Sequence, residues 1–277
     1  MRGFSLVELA VVFTVVAFLL AAAMYTLSAQ VETRNFDETR RQLDQARELI
    51  LAYAIVKGRL PCPARYTSAA SHSYGLESFC AAAATGHTST CPGGETTVEQ
   101  AHGTCSNHYD GFLPAATIGF KQTDTDGFAV DTWGNRIRYS VARSIATGTC
   151  SGIVSPPNLY TTMFTSKDNL KNYGITCQPD RLIVCKSGTG VSGTDCGGAA
   201  NQIVTQGTVA GVVFSTGKNG STGGTGTDEA ANLNGDGVFV WHTPTPSTAA
   251  NGEFDDQFTW ITLGEFYGRL ISAGVLP

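Results

Sequence analysis

Gly3-Phe4-Ser5-Leu6-Val7-Glu8 stands directly before an uncharged run, Leu9 to Val31, rich in Leu, Val, Ala and Phe. Only Met1 and Arg2 precede it, and the next charge after Glu8 is Glu32. A helix rises about 1.5 Å per residue, so the run would span about 35 Å, against about 30 Å for a hydrocarbon core. A secretory signal peptide has a shorter apolar core, about 7–15 residues, ending at a small-residue cleavage site. Here the apolar run is longer and passes without a break into charged helical sequence. The expectation is a retained membrane helix. Arg2 on one side and charges of both signs on the other favour a cytoplasmic N-terminus with the remainder outside.

Working outward, the composition switches at Glu32. Acids stand at Glu32, Asp37, Glu38, Asp44 and Glu48, and bases at Arg34, Arg40, Arg41, Arg47, Lys57 and Arg59. Phe36, Leu43, Ala46, Ile50 and Tyr53 recur at helical spacing, a one-sided stripe that Glu48 lies off. The stripe predicts packing against the chain's own globular part. No helix breaker occurs between Phe4 and Val56, so the spacing predicts one helix of about fifty residues. Gly58 and the following Arg59-Leu60-Pro61-Cys62-Pro63 stop it, because two prolines within three residues cannot continue a helix.

Residues 60–277 are a different material, rich in Gly, Thr, Ser and Ala. They carry 11 Lys and Arg against 17 Asp and Glu, while the whole 277-residue chain has a net charge of -5. An acidic, sparsely charged head is a poor attractor for nucleic acid, and no nucleic-acid partner is expected. Ordinary hydrophobicity (42%) with a small net charge excludes a disordered chain. The 32 glycines lack the three-residue period of collagen. Strands are predicted at 136–141, 181–185, 211–215 and 237–241, from alternation and β-branched runs bounded by turn residues. Glycine-rich stretches at 187–198 and 217–227 read as loops. A terminal helix is predicted over 263–273. The fold class expected is α+β: one long N-terminal helix, a membrane half plus an amphipathic half, packed on an antiparallel β-sheet head with long Gly/Ser/Thr-rich loops.

Eight cysteines, an even number, suit an oxidising compartment: Cys62, Cys80, Cys91, Cys105, Cys150, Cys177, Cys185 and Cys196. Proximity suggests two groups, 62–105 and 150–196, each bonded within itself and stapling loops that have little core. The alternative is metal. His102, Cys105 and His108, with Cys91 upstream, have ligand-like spacing but match no standard zinc pattern. Asn232, Asn234, Asp236 and Gly237 echo the start of a calcium loop, yet the twelfth position is Thr243 rather than Glu. Asp255 and Asp256 could add carboxylates, and the alternative is an ordinary Asn/Asp/Gly turn. Gly-x-Ser-x-Gly, phosphate-binding glycine loops and His-Glu-x-x-His are absent, so no enzyme is expected, and neither a resident metal nor another cofactor is assigned.

The opening stretch resembles the prepilin leader of type IV pilins and type II secretion pseudopilins. The resemblance implies cleavage after Gly3 by a prepilin peptidase, N-methylation of the new N-terminal Phe4, and a pairing of Glu8 with that ammonium during filament assembly. The physical logic is consistent: Glu8 lies one helical turn from Phe4, and an opposite charge at close range favours the ionised carboxylate. The boundaries implied are a leader at 1–3, a transmembrane and filament-core helix at 4–31, its amphipathic continuation at 32–59, and a pilin-like head at 60–277. The leader is short and carries a single base, unlike many in the family. Asp131-Thr132-Trp133-Gly134-Asn135 resembles the Asp-Pro-Trp-Gly-Asn segment of pseudopilin heads, with Thr132 in place of proline, and predicts a turn into a strand with Trp133 as a core anchor. Some pseudopilin heads bind calcium. The function implied is a structural subunit, a minor pilin or pseudopilin, of a type IV pilus or type II secretion-like filament. The alternative is a filament-tip binding module, an adhesin or substrate receptor, on the same scaffold. Implied partners are other subunits, the peptidase, an inner-membrane assembly platform and, before assembly, membrane lipid. The implied location is the bacterial inner membrane, single-pass with a periplasmic head, and then the filament.

Overall fold

The computed structural model describes residues 6–66, 73–83, 91–144, 162–174, 177, 179–180, 182–205, 207–224 and 226–276, without the side chains of 22–29, 144 and 180. Helix α1 spans Leu6–Lys57, 52 residues without interruption. It ends where the sequence says it must: Gly58 takes φ +71°, a left-handed conformation that suits glycine, and its N–H bonds the Ala54 carbonyl at 2.8 Å.

The membrane-spanning half is a correction. Among the described residues no helix is long and apolar enough to cross a membrane. The expectation of a single-pass inner-membrane protein with a periplasmic head falls with it.

The strands in chain order are β1 (Phe79–Cys80), β2 (Glu95–Thr96), β3 (Gly111–Phe112), β4 (Arg138–Val141), β5 (Arg143–Ser144) and β6 (Pro179–Asp180). They continue with β7 (Ile183–Cys185), β8 (Gln202–Val204), β9 (Val209–Ser215), β10 (Val238–Val240) and β11 (Gln257–Thr262). Helices α2 (Ala115–Ile118), α3 (Lys167–Tyr173), α4 (Thr227–Asn232) and α5 (Leu263–Ser272) complete the described elements. The fold is α+β. The principal sheet runs β11-β9-β4-β3, antiparallel throughout, with Trp260 opposite Val212 and Phe214 opposite Arg138. β9 is its longest strand, and all seven of its residues are buried.

The head is not purely antiparallel, as the sequence reading had it. A second sheet, β10-β7-β8, pairs β10 with β7 in parallel. Parallel neighbours need a long crossover, and here β8, β9 and α4 lie along the chain between them.

The core sits between α1 and the principal sheet. Leu43 (1% exposed), Ala46 and Ile50 from the helix pack with Val212, Val213, Ile261, Phe266 and Leu270. Phe36 and Tyr53, at the ends of the same stripe, are half-buried. A satellite cluster of Ile183, Val238, Val240, Ala231 and Phe254 fills the second sheet. Helix α5 begins with Thr262 accepting from the Glu265 N–H and lays Phe266 and Leu270 into the main core.

Three disulfides link Cys62–Cys105, Cys80–Cys91 and Cys185–Cys196, and Cys177 is also disulfide-bonded. Cys150 lies outside the described residues. With Cys91 and Cys105 both in disulfides, the zinc-like spacing around His102 and His108 loses its thiolates. Burial pulls the His102 pKa down, and its Nδ1 accepts from the Thr104 N–H at 3.0 Å.

Candidate functional site

The exposed half of α1 comes first. Leu6 (86%), Phe13 (65%) and Phe18 (77%) are largely open to solvent, as are Leu9, Val12, Val15, Leu19 and Leu20. Glu8 lies exposed on the same stretch. Gly3 and Phe4 lie outside the described residues. A continuous apolar surface of this kind is the usual mark of an interaction site.

The lower half of α1 is clamped to the head. Arg47 pairs with Glu265 and donates Nε to the Trp260 carbonyl at 3.2 Å. Arg269 meets Glu48 at 3.2 Å, and Lys218 meets Glu32 at 3.2 Å. At the end of the helix the clamp is buried. Arg59 donates Nη1 and Nη2 to the two Glu77 oxygens, both at 2.8 Å, and Tyr53 donates its hydroxyl to Glu77 Oε1 at 2.8 Å. The Cys62 N–H adds a fourth bond to Glu77 at 3.1 Å. Burial would lower the Arg59 pKa, but the Glu77 carboxylate outweighs it and drives it up. Burial, reinforced by Glu77, drives the Tyr53 phenol up as well.

The Asp131–Asn135 segment joins helix and sheet. Asp131 Oδ1 accepts from the N–H groups of Trp133 (2.9 Å) and Asn135 (2.8 Å), which builds the turn, and Oδ2 accepts from Ser215 on β9 at 2.6 Å. Trp133 is half-buried rather than a core anchor; its ring meets Phe36 of α1 edge-on at 5.0 Å. Thr132 donates Oγ1 to the Asn35 carbonyl at 3.1 Å and meets Thr39 Oγ1 at 2.7 Å. A proline could make neither bond.

The candidate calcium loop is a turn. Asn234 Oδ1 accepts from the Asp236 N–H at 2.9 Å, and Asp236 Oδ1 accepts from the Val238 N–H at 2.8 Å. Asn232 is buried and reaches elsewhere, donating Nδ2 to Asp256 Oδ2 at 2.7 Å. The structure instead gathers Asp255 and Asp256 with Glu229, all buried, their carboxylate oxygens within 4.8 Å of one another. Two unit charges about 4 Å apart repel by about 4 kcal/mol in a protein-like dielectric. Burial, then Glu229, push the Asp255 pKa up to about 6. Burial pushes Asp256 well above the ordinary carboxylate range. Two glycines of the loop after β9 make room. A Cβ on Gly217 would fall 1.9 Å from Asp255 Oδ1, and one on Gly224 would fall 2.7 Å from the Glu229 Cβ. Asp255 and Asp256 were visible in the sequence; Glu229 was missed, although Asp228-Glu229 is the one acidic pair in that glycine-rich stretch.

A groove of about 720 Å³ runs between α1 and β11, with Trp241, Phe258 and Trp260 on its walls and Asp37, Arg40 and Asp44 along the helix side. No protein-family model matches the chain, nor does any curated protein or solved structure.

Proposed function

We propose that this chain is a structural subunit of a filament of the type IV pilin or type II secretion pseudopilin kind. In this reading a prepilin peptidase cuts after Gly3, Phe4 becomes the N-methylated N-terminus, and α1 packs against the same helix of neighbouring copies. The observation that carries the reading is the division of α1 into a clamped half and an exposed apolar half. Burying a Leu, Val or Phe side chain contributes about 1.5–3 kcal/mol, so lateral contact along residues 6–20 supplies the driving force for assembly. A head-to-tail contact that does not close on itself grows a fibre. The Phe4 ammonium of an incoming copy offsets the cost of burying the Glu8 carboxylate. The role is mechanical, not catalytic.

The test is made in cells that assemble the filament. Gly3→Ala leaves the leader attached, read by the intact mass of the product. Glu8→Ala leaves the head folded but is lost from purified filaments, read by immunoblot. Incorporation of Glu8→Ala at the wild-type level would sink the proposal.

The groove walled by Trp241 and Trp260 favours a second reading, a filament-tip binding module on the same scaffold. Abundance separates them: a repeating subunit dominates purified filaments, whereas a tip module is present in trace.

A further inference from the structure

We infer that the groove between α1 and β11 binds a phosphocholine-type zwitterion, a quaternary ammonium joined to a phosphate; this rests on the binding-module reading and gives that module its ligand. The groove's volume, about 720 Å³, lies in the usual range for a small-molecule site. One wall is an aromatic corner. The Trp241 and Trp260 rings stand at 78°, their centroids 5.8 Å apart. Ring planes set at right angles are the means by which aromatic cages hold a quaternary ammonium, and tryptophan is the strongest partner for a cation. The corner is formed before any ligand arrives. The Trp241 N–H bonds the Cys185 carbonyl at 2.9 Å, on a strand tied by the Cys185–Cys196 disulfide, and Arg47 Nε holds the Trp260 carbonyl at 3.2 Å. Such preorganisation lowers the cost of binding.

The facing wall selects the charge of the ligand. Asp37, Arg40 and Asp44 follow one another at three- and four-residue spacing, so they share one face of α1 in the order acid, base, acid. All three are exposed, and none has an ion pair among the described residues. The other charges nearby are engaged. Glu38 meets Arg41, Arg47 meets Glu265, and Glu48 meets Arg269. His242 holds Asp228 at 3.0 Å and the Thr243 carbonyl at 2.7 Å. Asp256 is buried and accepts from Asn232 Nδ2 at 2.7 Å. Two carboxylates and one guanidinium are left to face the tryptophans. A simple cation would leave Arg40 against like charge, and a simple anion would meet two acids. A zwitterion satisfies both: its ammonium lies in the tryptophan corner beside the carboxylates, and its phosphate meets the Arg40 guanidinium.

The test uses the full-length chain, kept monomeric in a polyoxyethylene detergent that carries no ammonium group. Isothermal titration with phosphocholine shows one saturable site per chain, while choline chloride and inorganic phosphate each bind about tenfold more weakly or worse. Trp241→Leu lowers phosphocholine affinity by about tenfold, and Trp241→Phe recovers part of the loss, because the ring face is what the cation uses. Arg40→Gln brings phosphocholine down to the level of choline. An unchanged thermal midpoint shows each variant to be folded. Absence of phosphocholine binding by the folded wild type overturns the proposal, as does unchanged affinity in Trp241→Leu. Inorganic phosphate binding as tightly as phosphocholine overturns it too. Binding of a neutral sugar, lactose, in place of phosphocholine overturns the ligand class and leaves the binding-module reading standing, which abundance in filaments decides separately.

Discussion

Residues 6–21 and residues 39–54 belong to the same helix, yet the first stretch is exposed along its whole length and the second buries Thr39, Gln42, Leu43, Ala46, Ile50, Leu51 and Ala54. Their local geometry is the same, so propensity does not separate them. What separates them is the surface they face. The lower stretch has a sheet to lie on, and its charges Arg47 and Glu48 reach Glu265 and Arg269 across the interface. The upper stretch has almost no polar side chain to offer, and its described residues are exposed throughout. Most helical stability in proteins comes from packing an apolar face. In the proposed filament, neighbouring copies cover this apolar half, while the lower half holds it to the head.

The contrast breaks most severely at Arg59. Replacing it with alanine leaves Glu77 buried without its cation, a loss of about 3–5 kcal/mol, measured by denaturant unfolding of the head. A loss under about 1 kcal/mol would mean the clamp is not buried in solution. Next come paired truncations on the two halves. Ile50→Ala opens a cavity against the sheet and costs about 2–5 kcal/mol. Phe13→Ala stays within about 0.5 kcal/mol in the isolated chain, as exposed substitutions do, but lowers filament incorporation. Equal effects of the two on head stability would erase the division of α1.

A third test addresses the head away from α1. The folded-state pKa of Asp255 lies at about 6, above its ordinary 3.8, so the folded chain holds this proton more tightly than the unfolded one. The associated stability is complete below about pH 3.8 and is lost as pH rises through about 6. Glu229, Asp256 and Glu253 face it with like charge, against the N–H groups of Lys218 and Asn219. Midpoints measured from pH 3.5 to 7 should fall over that window, and Asp255→Asn should flatten this part of the fall. A midpoint that rises instead would show the carboxylate to be stabilised as the anion.

Much of this was legible in the chain. The stop at Gly58, the Leu43–Ala46–Ile50 stripe, the strands at 138–141, 209–215 and 238–240, and the C-terminal helix all follow from local periodicity and breakers. Legibility ended where partners come from far along the sequence. Glu229 and Asp255 are 26 residues apart, and no local spacing announces their meeting. Asn232, Asn234 and Asp236 have calcium-loop spacing, but local Asx bonds to backbone N–H groups take up Asn234 and Asp236. The parallel pairing of β10 with β7 depends on a crossover that neither short strand records. The apolar N-terminal run was read correctly as apolar and incorrectly as spanning, because its composition states what it avoids, water, and not what it meets.

The smallest expected effect tests how finely the clamp is built. Thr132 joins the turn before β4 to α1 through the Asn35 carbonyl and Thr39, and Trp133 beside it packs edge-on against Phe36. Thr132→Val keeps the shape and removes both hydroxyl bonds, which costs about 1 kcal/mol. The loss falls at the place where the covered half of α1 gives way to the exposed half. It should therefore raise hydrogen exchange of the amides near Thr39 while leaving those near Ile50 protected. Uniform loosening of the whole helix would show instead that α1 is held as one body, and that the boundary between its halves is set by burial alone.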